Sequence, residues 1–381
     1  MNSSTAAFTK LFDVIRDLNC DDNKRNSGSF LIQIRDGSSM VHDVDPAELE
    51  LTGEPANPDL TDSARKVLAY VRSLPGKGWL VGQQEPDESV TEEQSYIEEL
   101  TGKKPALRGF DVAEYIVDPV GAAIDSWRDH GQLVTLSWHV RMPTTESEFD
   151  NVLDIPEKAP DEAYDEGHEE WGGVADVEAV LTAGTDEHEW MLEMLDWMAD
   201  RLEPIAEADV PVFWRPYHEM DGGWFWWSNA GPDGLVGLWK QQYEFFVEER
   251  GLDNLIWVWS GSHGLPDPKW YPGDEYVDVT GVDTYRNQRP DLDWAGQYEN
   301  VCNITDSKPV ALAECDAIPD PDDSRESYPF VWTLPWHGLI RFNDEDHIQY
   351  VYDHDYTITA GELPDLRAQA GDLGRPTDAD Y

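Results

Sequence analysis

Seven short apolar runs, each ending in polar or aromatic residues, set the frame for this chain. They are WLVGQQ (79–84), ALRGFD (106–111), QLVTLSWH (132–139), PVFWRPYHE (211–219), LIWVWSG (255–261), VDVTGVDTY (277–285) and PVALAE (309–314). Segments with helical periodicity or length fall between most of them, such as EWMLEMLDWMADRLEPIAEA and GLVGLWKQQYEFFVEERG. Buried strands alternating with helices imply a parallel sheet. With an eighth candidate in YPFVWTLPW (328–336), the series predicts an α/β chain folded as a (β/α)8 TIM barrel.

Residues 1–58 have a different texture. Phe8, Leu11, Phe12, Ile15 and Leu18 carry helical spacing, and SFLIQIRDGSSMVHDV holds two strand-like runs around a Gly-containing turn. ELTGEPANPDLT, with two prolines, reads as a linker. The expectation is a small N-terminal α+β appendage of unknown function over 1–58 and a catalytic domain over 59–381. The latter opens with TDSARKVLAYVRSL, a helix starting on a Thr or Asp cap.

Charge narrows the partners. Asp and Glu number 78 against 27 Lys plus Arg, a formal charge of -51 that leaves no basic footprint for nucleic acid. Disorder is disfavoured, because 17 Trp, 15 Tyr and 11 Phe supply abundant core-forming surface. The carboxylates are spread over the whole length, which argues against a dedicated acidic tail. A salt-adapted (halophilic) protein fits best: in multimolar salt the Debye length falls to about 3 Å, and self-repulsion is screened. Cys20, Cys302 and Cys315 show no zinc-type spacing. No apolar run approaches a membrane span of about 20 residues. The N-terminus lacks a basic region followed by an apolar core, so it does not read as a signal peptide.

In parallel barrels the active site lies at the C-terminal ends of the strands. His139, Glu219, Tyr285 and Glu314 all stand where a strand ends. The acidic stretch 142–190 is expected to loop over the same face, with Trp171 and Trp190 packing or touching substrate. Glycoside hydrolysis needs two carboxyl groups about 5–5.5 Å apart in retaining enzymes, but among 78 acidic residues only context can select them. Context is dense around residue 219, where FWRPYHEMDGGWFWW sets Arg215, His218 and Glu219 beside aromatics and a Gly-Gly turn. Four large aromatics in a row are hard to bury together, which points to sugar stacking. Trp226 and Trp227 are nonetheless expected to pack, and His139 and Tyr285 have a plainer reading as caps of buried strands.

FWRPYHEMDGGWFWWS resembles the acid/base motif of glycoside hydrolase family 26, best known for β-mannanases. The resemblance runs collinearly from about Gly78 to Leu366, through LVGQQE, ALRGFDVAEY, VTLSWHVRMP, LIWVWSG, YPGDEYVDVTGVDTY, KPVALAEC and the closing PWHGLIRFN…VYDHDYTITAGELPDL. It implies that Glu219 is the acid/base and Glu314 the nucleophile. It places His218 and Tyr285 in hydrogen bonds around the nucleophile, and His139 and Trp224 at the sugar site beside the scissile bond. Trp138, of the same Trp-His motif, joins the substrate contacts. Trp336 is the implied aromatic floor, with Trp332 competing for that role. Arg215, Asp111, Tyr115 and Asp283 support the site from behind. The sequence departs from the family in three places. DAIPDPDDSRES is too rich in proline and Asp for the usual seventh helix, Cys315 follows the nucleophile as a packed thiol, and Met142-Pro143 stands where Asn-Pro is common.

The implied activity is endo-acting, retaining cleavage of β-1,4-mannosidic bonds in mannan, glucomannan or galactomannan, with no metal or organic cofactor. The same chemistry on mixed-linkage β-glucan or β-1,3-xylan, or an exo-acting mannobiohydrolase, stays open. A non-catalytic carbohydrate-binding protein is a different class, opposed by the presence of both carboxylates; no DxDxDG-type loop supports calcium binding. The expected partner is a β-linked polysaccharide or oligosaccharide, met by a monomer without nucleic acid or membrane. A polymeric substrate favours an extracellular protein, with a cytoplasmic one left open.

Overall fold

The structure is a computed structural model that describes residues 44–85, 92–112, 119–140, 175–223, 225–262, 266–286 and 293–367. The helix and strands expected within 1–43, and most of the long loop from 142 with Trp171, lie outside the described residues.

Eight parallel strands close on themselves. They are β1 (Trp79–Gln84), β2 (Leu107–Asp111), β3 (Leu133–Trp138), β4 (Val212–Pro216), β5 (Leu255–Ser262), β6 (Val279–Thr284), β7 (Val310–Cys315) and β8 (Trp332–Pro335). Each pairs with its successor, and β1 pairs with both β2 and β8, so the sheet is a barrel. The eight expected runs all become strands. A ninth, two-residue strand, β9 (Thr357–Ile358), adds to the start of β1.

Helices α1 (Asp62–Arg72), α2 (Glu92–Thr101), α3 (Pro119–Arg128), α4 (Val177–Val180), α5 (Asp186–Glu207), α6 (Gly231–Tyr243), α7 (Trp294–Ile304), α8 (Pro321–Ser327) and α9 (Glu345–Asp353) lie before, between and after the strands. Local chemistry starts them. Thr61 caps α1 by accepting from the Ala64 N–H, and Thr185 caps α5 with three acidic residues in its first turn. On α5, Trp190, Met191, Met194, Leu195, Met198, Leu202 and Ile205 form the buried stripe, so Trp190 packs. The stretch after β7 corrects an expectation, for it is helical: Asp320 caps α8 by accepting from the Asp322 N–H, and Pro321 enters at the first turn, where its missing N–H is no loss.

Strand parity decides which side chains enter the barrel. Phe213 of β4 and Trp332 of β8 come from opposite walls and meet with ring centroids 4.9 Å apart, so both point inward. Gly82 leaves room for this filling, since a Cβ there would lie 2.7 Å from Leu334 Cδ1. Strand β7 breaks parity. Its register with β6 steps from Val282↔Leu312 to Asp283↔Glu314, which leaves Ala313 as the extra residue of a bulge.

Residues 44–58 run as a strap against the N-terminal ends of the strands. The Ala56 N–H donates to Asp278 Oδ1 at 2.8 Å and the Tyr243 hydroxyl to the Ala56 carbonyl at 2.6 Å. Asn57 Nδ2 donates to Asp253, and Arg72 to the Thr52 carbonyl. Among the described residues no helix is long and apolar enough to cross a membrane.

Candidate active site

The bulge in β7 determines where Glu314 goes. Leu312 and Cys315 both pack outward with Val282, Trp294 and Phe330, while Ala313 joins the interior cluster. Strict alternation would turn Glu314 out beside Leu312. With one residue inserted it lies opposite Asp283 instead, buried inside the mouth of the barrel. There Arg215 Nη2 donates to its Oε2 at 2.6 Å and the Tyr285 hydroxyl donates to its Oε1. Arg215, buried at the end of β4, also donates from Nη1 to Asp283 Oδ2 at 2.9 Å, and the Ser260 hydroxyl reaches the same oxygen at 3.1 Å.

Two buried carboxyls thus share one guanidinium. Burial pushes both upward, and Arg215 pulls both back. Asp283 is pushed up to about 8 by burial and by the neighbouring Glu314 charge. Arg215 bonds to both carboxyls and favours their charged forms against burial, with its shorter hydrogen bond made to Glu314. Burial works against the Arg215 cation, but the carboxylate charge beside it and the hydrogen bond to Glu314 hold it charged.

Glu219 lies three residues beyond β4, itself buried. Its backbone is left-handed, φ 53°, as is Tyr217 at φ 46°, and conformations of this kind in non-glycine residues cost about 1–3 kcal/mol each. Three hydrogen bonds hold it there. The Glu219 N–H donates to the Ser260 carbonyl at 3.0 Å, and the Glu219 carbonyl accepts from the Gly222 N–H at 2.9 Å and the Ser228 hydroxyl at 3.1 Å.

Histidines and aromatics make the wall. Asp111, ending β2, is hydrogen-bonded to His139 Nδ1, and the Ser137 hydroxyl donates to the same carboxylate oxygen. The His139 ring meets His218 edge-on at 4.6 Å and Trp336 at 6.1 Å. Burial, the Arg215 cation and the neighbouring His139 ring hold His218 well below the usual imidazole range, so it is neutral. Trp336 follows β8, its N–H donating to the Cys315 carbonyl.

The structure thus brings Glu219, Glu314, His139, His218, Tyr285, Trp336, Arg215, Asp111 and Asp283 to one end of the barrel. It does not bring two others. Ser137 and His139 reach Asp111 on the inner side, so Trp138 between them faces outward, packed 6.3 Å from Trp214. Trp332 fills the barrel interior against Phe213, below the mouth, which leaves Trp336 as the aromatic at the strand end. Trp224, Tyr115 and Met142 lie outside the described residues.

In the aromatic run Trp226 and Trp227 pack as expected, and Phe225 is buried beside them although four such rings in a row pointed to sugar stacking. Phe225 stacks on Trp227 at 4.3 Å, and the indole N–H groups donate to carbonyls, Trp226 to Val140 and Trp227 to His218. These rings build the floor under His139 and His218. Cys315 is buried with Sγ 3.4 Å from the Thr333 hydroxyl, and burial pushes its thiol far up. It is a packed thiol.

Sequence reasoning missed Ser260 and Asp221. Asp221 Oδ1 accepts from the Ser262 N–H at 2.6 Å. Both follow the strand-end rule, but a serine and one more acid carry no signature of their own. Among the described residues, no three His, Cys, Asp or Glu are grouped to hold a metal ion. The arrangement offers one carboxyl held by a guanidinium and a hydroxyl, and a second carboxyl on a hydrogen-bonded loop nearby. That pair can carry out nucleophilic attack and proton transfer on a bond lying between them.

The profile described as Glycosyl hydrolase family 26 matches residues 56–362. The chain is 31% identical over 361 residues to a mannan endo-1,4-beta-mannosidase of Thermothelomyces thermophilus, covering 89% of this chain and 68% of that protein. It is 28% identical over 353 residues to mannan endo-1,4-beta-mannosidase A and B of Caldalkalibacillus mannanilyticus, covering 81% of this chain and 63% of that protein. Among solved structures it resembles GH26A from Muricauda sp. MAR_2010_75, with 31% identity, TM-score 0.69, and coverage of 81% of this chain and 99% of that one. It also resembles a beta-mannanase from a symbiotic protist of the termite Reticulitermes speratus, complexed with gluco-manno-oligosaccharide. That match has 27% identity, TM-score 0.69, and coverage of 83% and 99%.

Proposed function

Since the chain belongs to glycosyl hydrolase family 26 and is a retaining glycoside hydrolase of the endo-β-1,4-mannanase type, we propose that Glu314 is its nucleophile and Glu219 its acid/base. The observation that carries the assignment is the double hold on Glu314, with Arg215 on one oxygen and Tyr285 on the other. Of the two buried carboxyls beside Arg215, Asp283 takes the proton and Glu314 keeps the negative charge that attack requires.

In the first step a Glu314 oxygen bonds to the anomeric carbon while the glycosidic C–O bond breaks. The departing oxygen takes the proton of Glu219. Esterification removes the negative charge of Glu314. The repulsion that favoured protonated Glu219 goes with it, so Glu219 becomes a base. In the second step Glu219 takes a proton from water, the hydroxyl bonds to the anomeric carbon, and Glu314 leaves as carboxylate. Two displacements on one carbon return the original β configuration. The polymer lies across the strand ends, with Trp336, His139 and His218 facing the sugar before the bond that breaks.

The catalytic unit is the barrel together with the strap at 44–58 that is fastened to it, working as a monomer in concentrated salt without nucleic acid or membrane. The test is replacement of each glutamate. Glu314→Gln and Glu219→Gln should keep the far-ultraviolet circular dichroism of the wild type and lose about 10³-fold or more in turnover on galactomannan. Azide added to Glu314→Ala should give an α-configured mannosyl azide, because the nucleophile's face is then open. Wild-type-like turnover in either Gln variant overturns the assignment.

A further inference from the structure

We propose that Asp221 is a positioning residue, a carboxylate clip that docks the Glu219 loop onto the end of β5 and so sets where the acid/base stands. The proposal rests on Glu219 being the acid/base. The loop after β4 is held in an unfavourable backbone shape, with Tyr217 and Glu219 both left-handed. A loop in that shape relaxes unless its surroundings over-determine it. Strand β5 supplies two hydrogen bonds to it from outside. The Ser260 carbonyl accepts from the Glu219 N–H at 3.0 Å. Two residues on, the Ser262 N–H donates to Asp221 Oδ1 at 2.6 Å, across a sequence separation of 41.

The backbone contact exists whatever side chain stands at 219. The Asp221 contact is the one a side chain makes, and it is short, as a charge-assisted hydrogen bond should be. With both bonds made, residues 219 and 221 are registered against 260 and 262, the same end of β5 whose Ser260 hydroxyl also reaches Asp283 in the nucleophile cluster. One strand end is therefore tied to the acid/base loop and to the groups that hold Glu314. The separation of the two carboxyls is set through β5, and Asp221 is the fastening on the acid/base side.

A displaced acid matters only where a leaving group needs a proton. The experiment compares kcat/KM, which reports the first displacement, on mannopentaose and on 2,4-dinitrophenyl β-mannobioside, whose phenolate departs unprotonated. Asp221→Ala should lose about 10²-fold on mannopentaose, the scale of a small misplacement of a reacting group, and only about threefold or less on the dinitrophenyl substrate. Asp221→Asn keeps an oxygen for the Ser262 N–H and drops the charge, so it should recover most of the mannopentaose rate. Equal losses of Asp221→Ala on both substrates, or an Asn variant as slow as the Ala variant on mannopentaose, overturns the proposal. If Asp221→Ala does not fold, Asp221→Ser takes its place, since its shorter side chain cannot span to the Ser262 N–H, and the same two criteria apply. Glu219→Gln is run alongside. If it loses equally on both substrates, the acid/base assignment fails and this proposal with it. If it shows the leaving-group contrast and Asp221→Ala does not, the clip alone is wrong.

Discussion

Replacing Arg215 by Met tests whether the nucleophile is held as an anion by charge or merely placed by contact. The guanidinium is almost fully buried and donates to Glu314 at 2.6 Å and to Asp283 at 2.9 Å. Methionine fills similar space and carries no charge. An uncompensated charge left buried costs about 3–5 kcal/mol. The cluster escapes that cost by binding a proton on Glu314 as well as on Asp283. The sign is fixed by the causes: burial raises Glu314 and Arg215 opposes the rise, so removing Arg215 moves Glu314 further up. A neighbouring cation typically lowers a carboxyl by roughly 1–3 pH units, and each unit is about 1.4 kcal/mol. The proton route thus costs roughly 1.4–4 kcal/mol at a pH where the wild-type carboxylate is charged, comparable to the ion-pair figure. The assay is kcat/KM on mannopentaose across pH, with urea midpoints in parallel. The acid limb of Arg215→Met should move up by about 1–3 units, with activity returning toward alkaline pH. Arg215→Lys keeps the charge but lacks the planar fork that reaches both carboxyls, so its limb should move less than that of the Met variant. A Met variant with a lowered plateau and an unmoved acid limb would refute the electrostatic reasoning.

Asp283 supplies a stability prediction of the opposite kind. Its folded carboxyl is pushed up to about 8 from an ordinary 3.8, so between those values the folded state holds a proton that the unfolded state has lost. Its contribution falls as pH rises through that window, and below it the two states bind alike. Asp283→Asn cannot ionise, so its urea midpoint should fall less between pH 5 and pH 8 than that of the wild type; parallel slopes would count against the buried proton. The net charge of -51 predicts a salt requirement. Dialysis from about 3 M to about 0.01 M salt lengthens the Debye length from a few Å to about 30 Å and should remove the native circular-dichroism signal. A full signal in dilute buffer would sink the salt-adaptation reading.

The barrel was legible because each strand is a continuous apolar run and each run ends in the residue types a mouth needs. That same rule found His139, Glu219, Tyr285 and Glu314. It was weaker wherever the direction of a side chain mattered. Trp138 stands next to His139 in the chain, yet one step along a strand turns it to the helices. Trp332 lies on the inner parity of β8, but too deep to reach the mouth. For Glu314 parity itself misleads, since only the extra residue at Ala313 brings it inward, and VALAEC contains nothing that announces a bulge. The helix after β7 was hidden by composition, although an Asp cap followed by Pro is a helix start whatever the average of the segment. Asp221 and Ser260 act through single hydrogen bonds to backbone or to another side chain. Their partners lie far along the chain, beyond the reach of any local pattern.

The strap has a consequence in time. Ala56 is fastened to Asp278, a partner 222 residues further along the chain. At a synthesis rate of about 5–20 residues per second, the strap emerges from the ribosome roughly 11–44 s before its anchor exists. During that interval β1 to β5 can pair with one another, but the mouth still lacks Asp283 and Glu314, and the far end lacks its fastening. The barrel is therefore fastened late, when the start of β6 captures a segment made 222 residues earlier.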